Sequence, residues 1–234
     1  MPNHPGRTIT ATDLKRIRAA LAAKYNAQKD APTKFFAARL RALVLLTIGS
    51  GLRLSESLAL EIGQVIEGNP DNRWRIRGVS FLKATQAKRK RPRRFFLPES
   101  SRQALLSYLR TGIEQQVFTE PLELADHLFV AGKGNRATTI TPRNIQTSWQ
   151  RFQRSIGIAQ SYRWHDLRHT AASLFAAQAE NPWQVRDYLG VKSLETAGIY
   201  IHTDDNLLAV AEKMTNDKQT NKQTTKISPK QTKT

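Results

Sequence analysis

The chain has 234 residues, 39% of them hydrophobic, which suffices for a buried core without covalent staples. It carries 37 Lys and Arg against 19 Asp and Glu, a formal net charge of +18 with a pI of ≈ 10.6, which selects a polyanionic partner: nucleic acid first, an anionic membrane surface second. Cysteine is absent, which excludes disulfides, thiolate metal sites and a cysteine nucleophile.

No N-terminal stretch joins a basic head to a long apolar run, and Ala42 to Ile48, bounded by Arg41 and Arg53, is far too short to span a bilayer. The expectation is a soluble, cytoplasmic, nucleoid-associated protein with no membrane partner. Residues 1–7 read as a loose leader. From Asp13, Leu14, Ile17 and Leu21 follow helical spacing. A second helix runs from about Phe35 through Leu40, Leu43 and Leu46, and Gly51 stops it. Arg53 and Glu56 follow at i, i+3, a spacing that by itself indicates only a surface ion pair.

Between Arg73 and Arg94 the texture changes. Alternation in Arg73-Trp74-Arg75-Ile76-Arg77, the β-branched and aromatic Val79-Ser80-Phe81-Leu82, and Arg94-Phe95-Phe96-Leu97 predict strands and a basic hairpin. This segment holds ten Lys or Arg and no acid. Its centre, Lys83 to Arg91, lacks the apolar residues that would bury it, so it either stands in solvent or follows a phosphate backbone. The whole-chain charge favours the backbone, through Lys88, Arg89, Arg91 and Arg93.

Helices resume at Ser100 to Leu109, with Leu105, Tyr108 and Leu109 on one face. Thr141-Pro142 reads as a cap and first turn, opening a helix whose Ile145, Trp149 and Phe152 are spaced for packing rather than for stacking on bases. In Trp164-His165-Asp166-Leu167-Arg168-His169-Thr170, the residues His165, Arg168 and His169 fall at i, i+3 and i+4, one face that can grip an anion. Leu167, Ala171, Leu174 and Phe175 continue a buried stripe. Asn181-Pro182 starts a helix through Val185, Tyr188 and Leu189, closed by Gly190. Tyr200 and His202 follow, then a short helix capped by Asp204 or Asp205 and carrying Leu208, Ala211 and Met214. Residues 215–234 are too poor in apolar side chains to repay ordering and read as a disordered basic tail.

Four separated pieces, an Arg before a Glu, a lysine in a basic hairpin, a His-x-x-Arg helix and a Tyr downstream of Leu-Gly, together resemble the tyrosine recombinase (phage integrase) family. Gly51-Leu52-Arg53-Leu54-Ser55-Glu56 resembles its first arginine motif, and His165-Asp166-Leu167-Arg168-His169-Thr170 matches the second nearly letter for letter. Leu189-Gly190 to Tyr200-Ile201-His202 resembles the nucleophile segment. The resemblance covers about residues 8 to 214 and implies one mainly α catalytic domain with a small antiparallel β-sheet. It also implies a short form without the N-terminal helical domain of larger members.

The chemistry implied is site-specific DNA cleavage and rejoining through a 3′-phosphotyrosine, with integration, excision, inversion or resolution as outcomes. Arg53 and Arg168 would donate paired hydrogen bonds to the nonbridging oxygens of the phosphate, Tyr200 would attack phosphorus, and His165 would move the tyrosine proton or brace an oxygen. A hairpin lysine, Lys83 or Lys90, would protonate the departing 5′-oxygen. Glu56 orients an arginine or a helix, and His169 and His202 either support a phosphate contact or satisfy local hydrogen bonds. No metal or other cofactor is needed. Val191 stands where most of the family has His or Trp, and can donate no side-chain hydrogen bond; Lys192 is the nearest substitute. The implied partners are double-stranded DNA, three further copies in a homotetramer on paired sites, and accessory DNA-bending proteins. The alternatives are a catalytically impaired DNA-binding protein of the same fold and a type IB topoisomerase-like enzyme.

Overall fold

The apolar run that ends at Gly51 is the axle of the fold in a computed structural model, which describes residues 7–69, 73–87, 90–132 and 138–191. Helix α2 spans Ala31–Ser50 and is buried on nearly every side. Asp30 caps its start by accepting from the Thr33 N–H at 3.1 Å, and Gly51 ends it at φ 62. Twenty residues at about 1.5 Å rise give an axle of about 30 Å, long enough to pack against several partners at once. Helix α1 (Ala11–Ala27), with Leu14, Ile17 and Leu21 buried, lies on it, as do α5 (Glu99–Glu114) and α7 (Trp164–Ala176). The Ile9 N–H donates to Thr170 Oγ1 at 2.9 Å and Tyr162 Oη to Asp13 Oδ2 at 2.7 Å, tying the start of the described chain to the α7 region.

The expected mainly α fold with small antiparallel β-structure is what forms. The β-structure, however, is three separate two-stranded ladders among the described residues. Strand β1 (Ile66–Asn69) pairs with β2 (Arg73–Ile76), β3 (Val79–Leu82) with β4 (Arg93–Phe96), and β5 (Val130–Ala131) with β6 (Thr138–Thr139). The predicted basic hairpin is the β3–β4 ladder, in the register Leu82 opposite Arg93. Strand β2 stays with β1 because the Arg77 N–H is taken by Val65 O at 2.8 Å and its Nε by Ile66 O at 2.7 Å. Helices α3 (Leu54–Leu58) and α4 (Ile62–Val65), like β1, β5 and β6, are too short to leave a periodic signal in the sequence.

One expectation for the hairpin is corrected. Its first half does not stand loose in solvent: Gln86 and Gln64 form a reciprocal amide pair at 2.8 and 2.9 Å, Gln86 Nε2 donates to Ala59 O at 2.6 Å, and Lys83 Nζ meets Glu61 Oε2 at 2.5 Å. Polar side chains hold what apolar ones do not.

Helices α6 (Pro142–Ser155) and α8 (Pro182–Leu189) start where their caps predict, with Thr141 Oγ1 accepting from the Asn144 N–H and Asn181 Oδ1 from the Gln184 N–H. Ile145, Trp149 and Phe152 are core residues, and Trp149 Nε1 donates to Tyr162 O at 2.9 Å. Where α7 and α8 meet, Ala172, Ala176, Val185, Tyr188 and Leu189 form a second buried cluster. Leu174 and Phe175 are only half-buried; Phe175 stacks face to face on Tyr188 with ring centroids 4.1 Å apart.

Candidate active site

The site is built where α2 ends. Gly51 in the left-handed conformation turns the chain sharply, and Arg53 becomes the N-cap residue of α3. Glu56, three residues on, folds back to cap its own helix: Oε2 accepts from the Arg53 N–H at 3.0 Å, while Oε1 accepts from the Arg53 guanidinium at 2.9 Å. The spacing that reads as a surface pair is therefore a buried one, with the Glu56 side chain 2% exposed and that of Arg53 20%.

Two more guanidiniums converge on the same carboxylate. Arg93, from β4, donates to Glu56 Oε2 at 3.2 Å, and Arg168, from α7, brings NH1 to 4.0 Å from that oxygen. Burial alone would raise the Glu56 carboxyl, but the Arg53 N–H and the charges of Arg93, Arg53 and Arg168 together hold it below the usual carboxylate range. Of the four ionised groups meeting here three are positive and one is negative, so the cluster keeps two positive charges. That is the sign and size of charge that suits a phosphodiester gaining negative charge.

The guanidiniums are also tied to backbone. Arg168 donates NH1 to Gly51 O and NH2 to Leu189 O at 2.8 Å, and Arg93 donates NH1 to Tyr188 O at 2.9 Å. A helix C-terminus leaves carbonyls without intrahelical partners and carries partial negative charge; here two successive ones, at the end of α8, are taken by two arginines. Gly190 closes α8 at φ 62, and the Val191 N–H returns to Arg186 O at 3.1 Å.

On α7 the three residues of the predicted face part, with Arg168 buried and turned to the Gly51 and Leu189 carbonyls and the two histidines nearer solvent. His165 is exposed, His169 is half-buried, and their rings stand perpendicular with centroids 4.5 Å apart. Burial, then the neighbouring His165 and Arg168, push His169 down to about 4, so it is neutral near pH 7. Asp166 is structural, accepting from the Arg163 N–H at 2.7 Å to cap the helix.

An open cleft of about 840 Å³ lies over this cluster, lined among others by Arg53, Glu56, Arg91, Arg93, Arg94 and Val191. Lys83 is held by Glu61; Lys90 is exposed at φ 51. Arg91, one of the cations expected to follow a phosphate backbone, is exposed, and so is Arg94. Arg93 departs from that expectation: strand alternation puts it on the same face as the fully buried Phe95, and its side chain is only 11% exposed. That alternation was the available signal, masked by the run of basic residues around it. Val191 packs its side chain against the α7–α8 cluster. Lys88, Arg89, Lys192, Tyr200, His202 and the segment carrying Leu208, Ala211 and Met214 lie outside the described residues, as does the tail at 215–234. Among the described residues no helix is long and apolar enough to cross a membrane.

Residues 7–206 match the profile of the Phage integrase family. The chain is 30% identical over 175 residues to a protein of Chlamydia caviae named tyrosine recombinase XerC, covering 75% of this chain and 50% of that one. It is 28% identical over 219 residues to a protein of the same name from Thermodesulfovibrio yellowstonii, covering 90% and 67%. It thus spans between half and two thirds of these relatives' lengths. A solved structure of XerH site-specific recombinase bound to difH substrate superposes with a TM-score of 0.62 at 21% identity, over 91% of this chain and 55% of that one.

Proposed function

Because this chain belongs to the phage integrase family, we propose that it is a site-specific recombinase acting on double-stranded DNA through a 3′-phosphotyrosine intermediate. The observation that carries the reading is the gathering of Arg53, Arg93 and Arg168 around one carboxylate beneath a basic cleft. DNA-bound recombinases among its structural relatives support the choice of partner.

In this reading Arg53 and Arg168 hold the nonbridging oxygens of the scissile phosphate. A guanidinium presents five N–H donors in a rigid fork, so one group serves a backbone carbonyl and a phosphate oxygen together. The Tyr200 hydroxyl oxygen attacks phosphorus, forming the tyrosine–phosphorus bond as the bond to the 5′-oxygen breaks. His165 takes the tyrosine proton, with neutral His169 behind it, and a hairpin lysine gives a proton to the 5′-oxygen. Lys83 is the first choice for that lysine and Lys90 the second. Rejoining runs the same steps backwards, so bond energy is conserved and no cofactor is consumed. Glu56 orients the arginines; Lys192 and His202 are supporting groups. Lys88, Arg89, Arg91 and Arg94 follow the DNA backbone. Two protomers on each of two sites form the tetramer, with the segment bearing Leu208, Ala211 and Met214 passed to a neighbour and accessory DNA-bending proteins bringing the sites together.

The test begins with duplexes selected by the purified protein from a random pool, rebuilt as nicked suicide substrates. A covalent protein–DNA adduct that disappears in Tyr200→Phe is the expected result. Specific binding without an adduct would reduce the protein to a DNA-binding relative, and relaxation of a supercoiled plasmid lacking the selected sequence would make it a topoisomerase.

A further inference from the structure

We propose that Arg93 is a positioning residue, which locks the Glu56 carboxylate to the C-terminal end of α8 and so sets both the arginine cluster and the path of the chain leaving toward Tyr200. The proposal rests on the recombinase reading for its catalytic consequence, but its structural basis is independent of it.

Three observations converge on Arg93. Its two terminal nitrogens are divided between different parts of the fold, NH2 on Glu56 Oε2 at 3.2 Å and NH1 on Tyr188 O at 2.9 Å, so one planar group spans α3 and α8 from strand β4. Its aliphatic stem lies against Gly190, where a Cβ would stand 2.5 Å from Arg93 Cδ. Glycine is thus required at 190 twice over, for φ 62 and for the passage of this side chain. Finally, Arg168 completes the frame by taking Leu189 O, the carbonyl that follows Tyr188 O. The last turn of α8 is held by two guanidiniums that share one carboxylate. From that turn the chain passes through Gly190 and Val191 toward the nucleophile.

A lysine cannot replace this arrangement. Its single ammonium has no fixed fork with which to bridge a carboxylate and a carbonyl on two different helices. Nor does the arrangement suit a phosphate contact at the DNA backbone, for which exposed cations such as Arg91 and Arg94 stand on either side of Arg93. Positioning matters for rate because a nucleophile misplaced by about 1 Å can cost on the order of 100-fold.

The experiment uses the full chain with Arg93→Lys, Arg93→Gln, Glu56→Gln and the double Arg93→Gln/Glu56→Gln. Hydrogen exchange is followed at the Gly190 and Val191 amides, and single-turnover adduct formation is followed at saturating protein on the selected nicked duplex. Arg93→Lys and Arg93→Gln should accelerate exchange at these two amides relative to those of α7. They should slow adduct formation by about tenfold or more while leaving the salt dependence of binding unchanged, and the double variant should be no slower than the slower single one. Should Arg93→Gln fail to fold, Arg93→Lys, which keeps stem and charge, carries the test. Unaltered exchange at Gly190 and Val191 would overturn the proposal whether or not an adduct forms. So would a wild-type adduct rate in Arg93→Lys, additive losses in the double variant, or a defect confined to affinity with a shallower salt slope. Absence of an adduct from the unmodified chain, with exchange altered as expected, would refute the recombinase reading and leave the Arg93 lock standing.

Discussion

Arg53 and Glu56 meet twice, once through the Arg53 backbone N–H at 3.0 Å and once through its guanidinium at 2.9 Å, so the residue that begins α3 is held by the carboxylate three positions on. The same carboxylate also faces Arg93 and Arg168. Removing it leaves several cations buried around an unfilled site. Glu56→Ala should therefore destabilise the fold by about 3–5 kcal/mol, the range for breaking a buried ion pair from one side. Glu56→Gln, which keeps an acceptor for the Arg53 N–H, should cost roughly 1–3 kcal/mol. Urea unfolding of the two variants checks both the size and the order.

Acid should weaken the fold in two stages. His169 is held down at about 4 from an ordinary 6.5, chiefly by burial. Above that interval it is neutral in folded and unfolded chain alike; within it the unfolded chain binds a proton that the folded chain refuses, so stability falls as pH falls. Glu56 is held below its ordinary 4.5, and its contribution, complete above that value, is lost as pH drops through its lower folded value. His169→Gln should remove the upper stage and leave the lower one, as measured by unfolding midpoints across pH 7 to 3.

Alanine at either left-handed glycine should be costly. Gly51 and Gly190 both lie at φ 62, where a side chain costs roughly 1–2 kcal/mol from backbone strain alone. At 51 a Cβ would press on the Tyr188 ring at 3.0 Å; at 190 it would meet the Arg93 stem at 2.5 Å. Gly190→Ala should consequently lower adduct formation as well as stability, because it displaces Arg93.

Exposed and inward arginines of the hairpin should separate by salt. Arg91→Ala and Arg94→Ala should each weaken DNA binding and lower the slope of log affinity against log salt by about 0.9, the value for one lost phosphate contact. Arg93→Gln should leave that slope alone. Binding titrations at several salt concentrations distinguish the three.

Local rules made much of this legible in the sequence. Thr141-Pro142, Asn181-Pro182, Gly51 and Gly190 bound helices as their cap chemistry requires, and apolar stripes such as Leu14, Ile17 and Leu21 chose the buried faces. The motif order around Arg53, His165 and Arg168 identified the family, which the match over residues 7–206 bears out. The caps and stripes depend on neighbours a turn or two of helix away, and the family on short motifs read in order along the chain.

The tertiary structure decided what the charges do. In the sequence Arg93 is one of ten basic residues between Arg73 and Arg94, indistinguishable by charge from those that face outward. Only the packing of β4 turns it inward to join Glu56, 37 positions before it, and Tyr188 O, 95 positions after it. Glu56 likewise changes from half of an i, i+3 pair into the shared counter-ion of three arginines. Composition counts charges, whereas desolvation and proximity determine which of them interact strongly, and those are set by chain segments that meet only in the folded state.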